Sequence, residues 1–126
     1  MLTYDDAVAL FERRRQAWLN EDLDAYLGMW AEDMTFQSPV HAEALRGRGA
    51  FAELVRQSSA FSRPLLFDLH HLAVHGATVL AEWSIAIEQR DSGRRIAWRG
   101  MSSCQIRDGL IVVWREYWNP LVLMPS

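Results

Sequence analysis

The fold is decided by one stretch near the carboxyl end, RDGLIVVWREYWNP, which covers residues 107–120. Asp108 and Gly109 lie between apolar runs, and this dipeptide in that setting predicts a tight β-hairpin turn. In the strand after the turn, Trp114, Glu116 and Trp118 occupy alternate positions, so their side chains share one face. The stretch therefore predicts an antiparallel hairpin that carries two indoles and a carboxyl on the same side.

The strand pattern continues upstream of this hairpin. Runs rich in β-branched and aromatic residues are separated by turn residues at Gly76, at Asp91-Ser92-Gly93 and at Asp108-Gly109. They predict four consecutive strands, at about 65–75, 78–90, 94–107 and 110–118. Strands joined in sequence by short turns pair as an antiparallel meander.

Helical patterns come before the meander. Thr3, with Asp6 three residues later, predicts the N-cap of a first helix. The stripe that we expect this helix to bury consists of Tyr4, Val8, Phe11, Arg15 and Trp18. A second helix is expected from Asp22, a short strand over 34–38, and a third helix after Gly47.

Helices followed by a long meander predict an α+β fold. We expect a cone-shaped, curved antiparallel sheet with about three helices on its concave face. The chain shows no internal repeat, low-complexity segment or linker, so one domain over residues 1–126 is predicted.

Composition excludes several classes of function. Half of the residues are apolar, the net charge is −3, and no basic run is longer than Arg13-Arg14-Arg15, which argues against a nucleic-acid surface. The apolar runs fall short of the roughly 20 residues that a membrane span needs. Asp5 and Asp6 stand where a secretory leader carries basic residues, and Cys104 is the single cysteine, so we expect a cytoplasmic protein.

No cofactor or metal is predicted. All 13 basic residues are arginine, which excludes Schiff-base chemistry and a lysine-held pyridoxal group. His70 and His71 are adjacent and point to opposite faces of a strand, whereas His71 and His75 share a face roughly 13 Å apart. Neither spacing suits one metal ion.

Strand alternation predicts an aromatic cavity wall. If Glu116 faces inward, the residues of the same parity on the other strands line a pocket for a small molecule. The predicted substrate-binding residues are Phe36, Ser38, Phe67, Trp83, Trp98, Ser102, Trp114 and Trp118. A slip of one residue would reverse each set.

Glu116, Arg15 and His71 are the candidate catalytic residues. A carboxyl surrounded by indoles is desolvated and can exchange protons near neutral pH. Arg15 interrupts the apolar stripe of the first helix and is placed to hold a substrate oxygen or to pair with Glu116, although a snorkelling arginine fits the same position. His71 is placed to relay a proton, although a core histidine is the simpler interpretation. Ser38, Ser102 and Cys104 lack an evident partner base.

Three stretches of the chain resemble the nuclear transport factor 2-like superfamily. They are Asp22-Leu23-Asp24 running on to Trp30-Ala31-Glu32-Asp33, then Ser38-Pro39-Val40 with Gly47, and finally the segment 107–120. The superfamily includes ketosteroid isomerases, limonene epoxide hydrolases and SnoaL-like polyketide cyclases. The resemblance implies the cone fold and, since members often pair through the outer sheet face, a homodimer.

The residues of the best-known relatives are changed here. Ser38, Ser102 and Arg15 (or Arg14 with a one-residue gap) stand where ketosteroid isomerases carry aspartate, aspartate and tyrosine. The Arg–Asp pair of the epoxide hydrolases matches Trp83 to Ile85, and only Glu116 matches their strand motif in kind. The resemblance thus implies neither activity by the usual route.

The sequence supports two hypotheses. One is an enzyme that binds a small apolar molecule and acts on it by acid–base chemistry, as an isomerase, dehydratase, cyclase or epoxide hydrolase, with Glu116 as the acid or base. The other is a non-catalytic ligand-binding or dimerisation module. The first predicts an open pocket with Glu116 at its wall. The second predicts that Trp98, Trp114 and Trp118 collapse onto one another.

Overall fold

The structure is a computed structural model and describes residues 1–124. Its helices are α1 (Tyr4–Leu19), α2 (Leu23–Leu27) and α3 (Arg48–Phe61), and a 3-10 helix covers Pro120–Leu123. The strands are β1 (Trp30–Gln37), β2 (Leu45–Arg46), β3 (Ser62–His75), β4 (Thr78–Gln89), β5 (Arg95–Arg107) and β6 (Leu110–Tyr117). None of the helices within the described residues has the length and apolar character required to cross a bilayer.

The strands form one curved, unclosed sheet in the order β2-β1-β6-β5-β4-β3. Strands β3 to β6 are the predicted antiparallel meander, and β1 extends the sheet by pairing parallel to β6. Helix α1 packs on β3, and α3 packs on β1. The α+β prediction is confirmed, while the parallel β1–β6 pair was not predicted.

Helix α1 begins where the sequence predicts, but it buries a different face. Thr3 and Asp6 form a reciprocal capping box, with each side chain bound to the other residue's backbone N–H over 3.0 Å. The buried residues are Ala7, Leu10, Phe11, Arg14 and Ala17. The predicted stripe through Tyr4 and Arg15 is therefore displaced by about one residue from the face that α1 buries. Two alanines lie on the buried face, and they carry too little apolar area to mark it in the sequence.

A bulge in β3 reverses the face of the strand near its middle. Leu69 pairs with Trp83 and His71 with Glu82, so His70 is an extra residue on β3. Phe67 and Leu69 face inward before the bulge, and Leu72 and Val74 pack against the core after it. His71 is consequently on the outer face. The expectation that it faces the cavity is wrong, because the extra residue changes its parity.

Candidate functional site

The helices and the sheet enclose a cavity of about 590 Å³. Its wall takes residues from all three helices and from β1, β3, β4, β5 and β6, and it falls in the usual size range of small-molecule sites, about 300–1,000 Å³. Most of the wall is aromatic or aliphatic, and the charged or titratable side chains that border the interior include Arg14, Tyr26, His41 and Glu116. The open pocket is the arrangement that the enzyme hypothesis requires.

Most of the predicted binding residues border this cavity. They are Phe36, Ser38, Phe67, Trp83, Trp98 and Trp118. The other two predicted residues, Ser102 and Trp114, lie behind the wall, so their expected contact with a ligand is corrected. Ser102 Oγ accepts a hydrogen bond from Trp83 Nε1 over 3.1 Å and thereby orients that indole.

Trp83 is seated on the backbone of β5. A Cβ on Gly100 would lie 2.7 Å from Trp83 Cη2, a distance too short for real atoms. The absence of a side chain at Gly100 thus allows the indole to lie against the strand, where it forms part of the cavity wall.

Glu116 is held at the cavity wall by the two indoles that flank it in sequence. Trp114 Nε1 donates to Glu116 Oε2 over 2.9 Å, and Trp118 Nε1 donates to Glu116 Oε1 over 3.0 Å. All three side chains share one face of the β6 end, as alternation predicted. The indoles do not collapse on one another as a group, because Trp98 packs on Trp118 with ring centroids 5.3 Å apart, whereas Trp114 packs on Phe11 at 5.7 Å.

The arginine of α1 that borders the cavity is Arg14. Its side chain is 9% exposed, and its guanidinium carbon lies 4.3 Å from the centre of the Trp114 ring. Arg15, the predicted residue, instead donates from Nε to the Phe67 carbonyl oxygen over 2.9 Å and lies 3.4 Å from Glu12. Arg15 does not border the cavity, because α1 buries the neighbouring face.

His71 does not border the cavity. Its side chain is 83% exposed and its Nε2 is 3.8 Å from Glu82 Oε1 on the outer face of the sheet. Neither a proton relay to Glu116 nor contact with an enclosed ligand is available from that position.

Sequence reasoning missed His41, which borders the cavity beside Ser38. Ser38 Oγ lies 2.7 Å from His41 Nδ1, and the backbone N–H of His41 donates to the Ser38 carbonyl oxygen over 3.0 Å in a tight turn. The available signal was a serine at the end of β1, followed by Pro39 and a histidine three residues on. The turn places a base next to Ser38, which the sequence analysis left without one.

Burial sets the protonation of two further groups. It raises the pKa of Tyr26, so the side chain remains a neutral phenol, and Tyr26 Oη accepts a hydrogen bond from Arg14 Nη2 over 3.2 Å. Burial also raises the pKa of the Cys104 thiol to about 12. A thiol of that kind is a poor nucleophile, because the thiolate is the reactive form.

Among residues 1–124, no three side chains of histidine, cysteine, aspartate or glutamate come together as a metal-binding group. The polar groups bordering the cavity thus include a fixed carboxyl, a buried guanidinium with a phenol, and a serine–histidine pair. These groups can exchange protons and bind oxygen atoms of a ligand.

A curved six-stranded sheet with helices over an apolar cavity defines the cone class of α+β proteins. The SnoaL-like domain model matches residues 11–114, and the chain belongs to that family. The resemblance to the nuclear transport factor 2-like superfamily is thereby confirmed.

Three relatives illustrate the similarity. The uncharacterised protein YesE of Bacillus subtilis is 26% identical over 115 residues, which cover 83% of this chain and 76% of YesE. A Bacillus subtilis protein provisionally named an isomerase superposes with a TM-score of 0.86 at 23% identity, covering 98% of this chain and 93% of that one. An LEH-like epoxide hydrolase from M. tuberculosis superposes with a TM-score of 0.79 at 23% identity, covering 91% and 84%. The two structural similarities establish the fold alone.

Proposed function

We propose that this protein is a cofactor-independent enzyme that binds a small, largely apolar molecule and moves a proton on it with Glu116. The observation that carries the proposal is the carboxyl of Glu116, fixed by two indole N–H donors at the wall of a large apolar cavity. A positioned carboxyl of this kind contributes about 10²–10⁴-fold to the rate of a proton transfer.

The geometry leaves Glu116 able to react. Each carboxylate oxygen accepts one indole N–H and retains a second lone pair for a substrate proton. A second hollow of about 400 Å³ also borders Glu116, together with Ser38, His41 and Trp118. A proton that Glu116 takes from a substrate in the main cavity can therefore leave through this second hollow.

The proposed reaction class is proton transfer, as in isomerisation, dehydration, cyclisation or addition of water. The names of two structural relatives, an epoxide hydrolase and a provisional isomerase, agree with this class. Arg14 takes the assisting position expected of Arg15, since its charge lies at the cavity wall. His71 has no part in the proposal.

A non-catalytic binding protein is the alternative. The observation that favours it is that both oxygens of Glu116 are already engaged by tryptophans of its own strand end, so that the carboxyl also serves to hold the wall together. In that case the cavity holds a ligand without changing it.

The test is the substitution Glu116→Gln, assayed against a panel of terpenoid epoxides, steroid enones and aromatic polyketides. Glutamine has the same shape but is a far weaker base, so we expect turnover of any substrate found for the wild type to fall by about 10²-fold or more. Ligand binding, measured by thermal shift, is expected to persist.

Glu82→Gln is the matched control. Glu82 lies on the outer face beside His71, and its substitution by glutamine makes the same change in charge as Glu116→Gln. It is expected to leave turnover unchanged. Turnover that survives Glu116→Gln contradicts the catalytic proposal. If compounds of the panel stabilise the wild type but none is turned over, the non-catalytic binding protein is favoured.

We also propose that the protein forms a homodimer in the cytoplasm. Leu80, Met101 and Tyr117 are exposed on the outer face of the sheet, and Met101 pairs directly with Tyr117 across β5 and β6. A lone buried Cys104 suits a reducing compartment.

A further inference from the structure

The buried guanidinium of Arg14 forms no ion pair with a carboxylate of residues 1–124. Its side chain is only 9% exposed, and among the described residues it takes part in no ion pair. Its Nε is buried without a hydrogen-bond partner. Burying an unpaired charge is costly, and native proteins generally pair such groups or use them to bind a ligand.

Uncharged groups hold this guanidinium in place. Its central carbon lies 4.3 Å from the ring centre of Trp114 and 5.5 Å from the ring centres of both Tyr26 and Phe67. Contacts with aromatic rings attract the cation but leave its net charge in place. Arg14 is therefore positioned in advance, and its guanidinium brings a positive charge to the cavity wall.

Tyr26 adds a second donor at the same point. Its hydroxyl oxygen accepts the N–H of Arg14 Nη2, so the hydroxyl hydrogen is directed to a different acceptor. Within residues 1–124 no protein group receives that hydrogen in a described hydrogen bond, and Tyr26 borders the cavity. Because burial raises the pKa of Tyr26, the phenol keeps this hydrogen at neutral pH.

We propose that Arg14 and Tyr26 bind the carboxylate of the ligand, so that the cavity takes apolar or aromatic monocarboxylic acids. A carboxylate neutralises the guanidinium and accepts charge-assisted hydrogen bonds from it and from the phenol. A neutral carbonyl would accept the same hydrogen bonds without forming an ion pair with the guanidinium. The remainder of the ligand lies against the aromatic wall near Trp83 and Trp98. This inference rests on the proposed function only in assigning the same cavity to the ligand.

The probes are three acids, phenylacetate, naphthoate and decanoate, each compared with its own amide by calorimetric titration at neutral pH. Each pair has nearly the same shape and differs in charge. We expect the wild type to bind at least one acid about tenfold or more tightly than its amide, which is the effect of a hydrogen bond to a charged partner.

Arg14→Met removes the charge and retains the apolar stem. It is expected to abolish the preference for the acid while the amide still binds. Arg13→Met is the matched control, because it changes the same residue type one position earlier on an exposed part of α1. That variant is expected to keep the preference. Tyr26→Phe is expected to weaken acid binding by a smaller factor, since it removes one donor.

Circular dichroism checks that each variant is folded, and Arg14→Gln replaces Arg14→Met if that protein does not fold. A wild type that binds none of the three acids more tightly than its amide overturns the inference, as does a preference that survives the loss of Arg14. Glu116→Gln separates this inference from the proposed function. The variant keeps the preference for the acid if the carboxylate site is correct, whether or not turnover depends on Glu116.

Discussion

Cys104 is a residue whose surroundings predict a measurable pH dependence. Its side chain is fully buried, and burial raises the pKa of the thiol from an ordinary value of 9.0 to about 12. The unfolded chain ionises at Cys104 above pH 9, while the folded protein does not until about pH 12. The stability that this neutral thiol contributes is therefore fully present below pH 9 and is lost as the pH rises through that window.

We expect the free energy of unfolding to fall by about 2 kcal/mol between roughly pH 8 and pH 10.5 from this group. Urea unfolding at both pH values measures the fall. Cys104→Ala lowers stability at both, since it leaves a cavity, but it should reduce the difference between them. An equal pH dependence in the variant would show that Cys104 is not responsible. A thiol reagent should label the native protein slowly and the unfolded chain quickly.

The bulge at His70 predicts that this residue of β3 is dispensable. Deleting His70 removes the extra residue and leaves Leu69 and Leu72 on the inner face, because the alternation becomes continuous. The deletion loses the hydrogen bond between His70 Nε2 and Ser84 Oγ, which is 2.6 Å long and exposed. We expect a loss of stability of about 1 kcal/mol or less, measured by urea unfolding.

Deletion of Asp68 is the matched control. It also shortens β3 by one residue, but it turns Leu69 outward and His70 inward. The expected cost is larger, about 2–4 kcal/mol, from lost apolar burial and a buried imidazole. Equal losses in the two deletion variants would contradict the assignment of the bulge.

The strands around the cavity show how far the sequence predicts the site. Alternation correctly placed Glu116, Trp118 and Trp98 on the cavity side, because β5 pairs regularly with β4 at Trp98 and with β6 at Glu116. It failed at His71, since a bulge depends on pairing with β4 and has no mark in the sequence of β3. The meander, the caps and the third helix were predicted closely, because turn residues and capping side chains act locally.

Helix α1 shows why the buried cation was assigned to the wrong residue. Arg13, Arg14 and Arg15 are consecutive, so the sequence offers three directions around the helix, about 100° apart. The choice depends on which face packs against β3 and the cavity, and small residues such as Ala7 and Ala17 decide it by allowing close contact. Packing of that kind is a tertiary effect, and periodicity of bulky residues does not report it.

At the scale of the whole molecule, the outer face of the sheet is the proposed dimer interface. A stable interface covers about 800 Å² on each partner, which is about a tenth of the 7448 Å² surface of this chain. Leu80, Met101 and Tyr117 lie on neighbouring strands and are 45%, 49% and 60% exposed. An apolar centre with polar surroundings on the same face is typical of such an interface.

Met101→Arg tests this contact. Met101 pairs with Glu82 on β4, so an arginine there gains a nearby opposite charge within the monomer and is expected to fold. In a two-fold symmetric interface the same change places two long charged side chains at or near the contact, where they must lose water, which disfavours association. Light scattering coupled to gel filtration is expected to give a dimer for the wild type and a monomer for the variant. Leu121→Arg, on a side chain that is 64% exposed in the 3-10 helix, should remain dimeric. A monomeric wild type, or a dimeric Met101→Arg, would exclude this face as the interface.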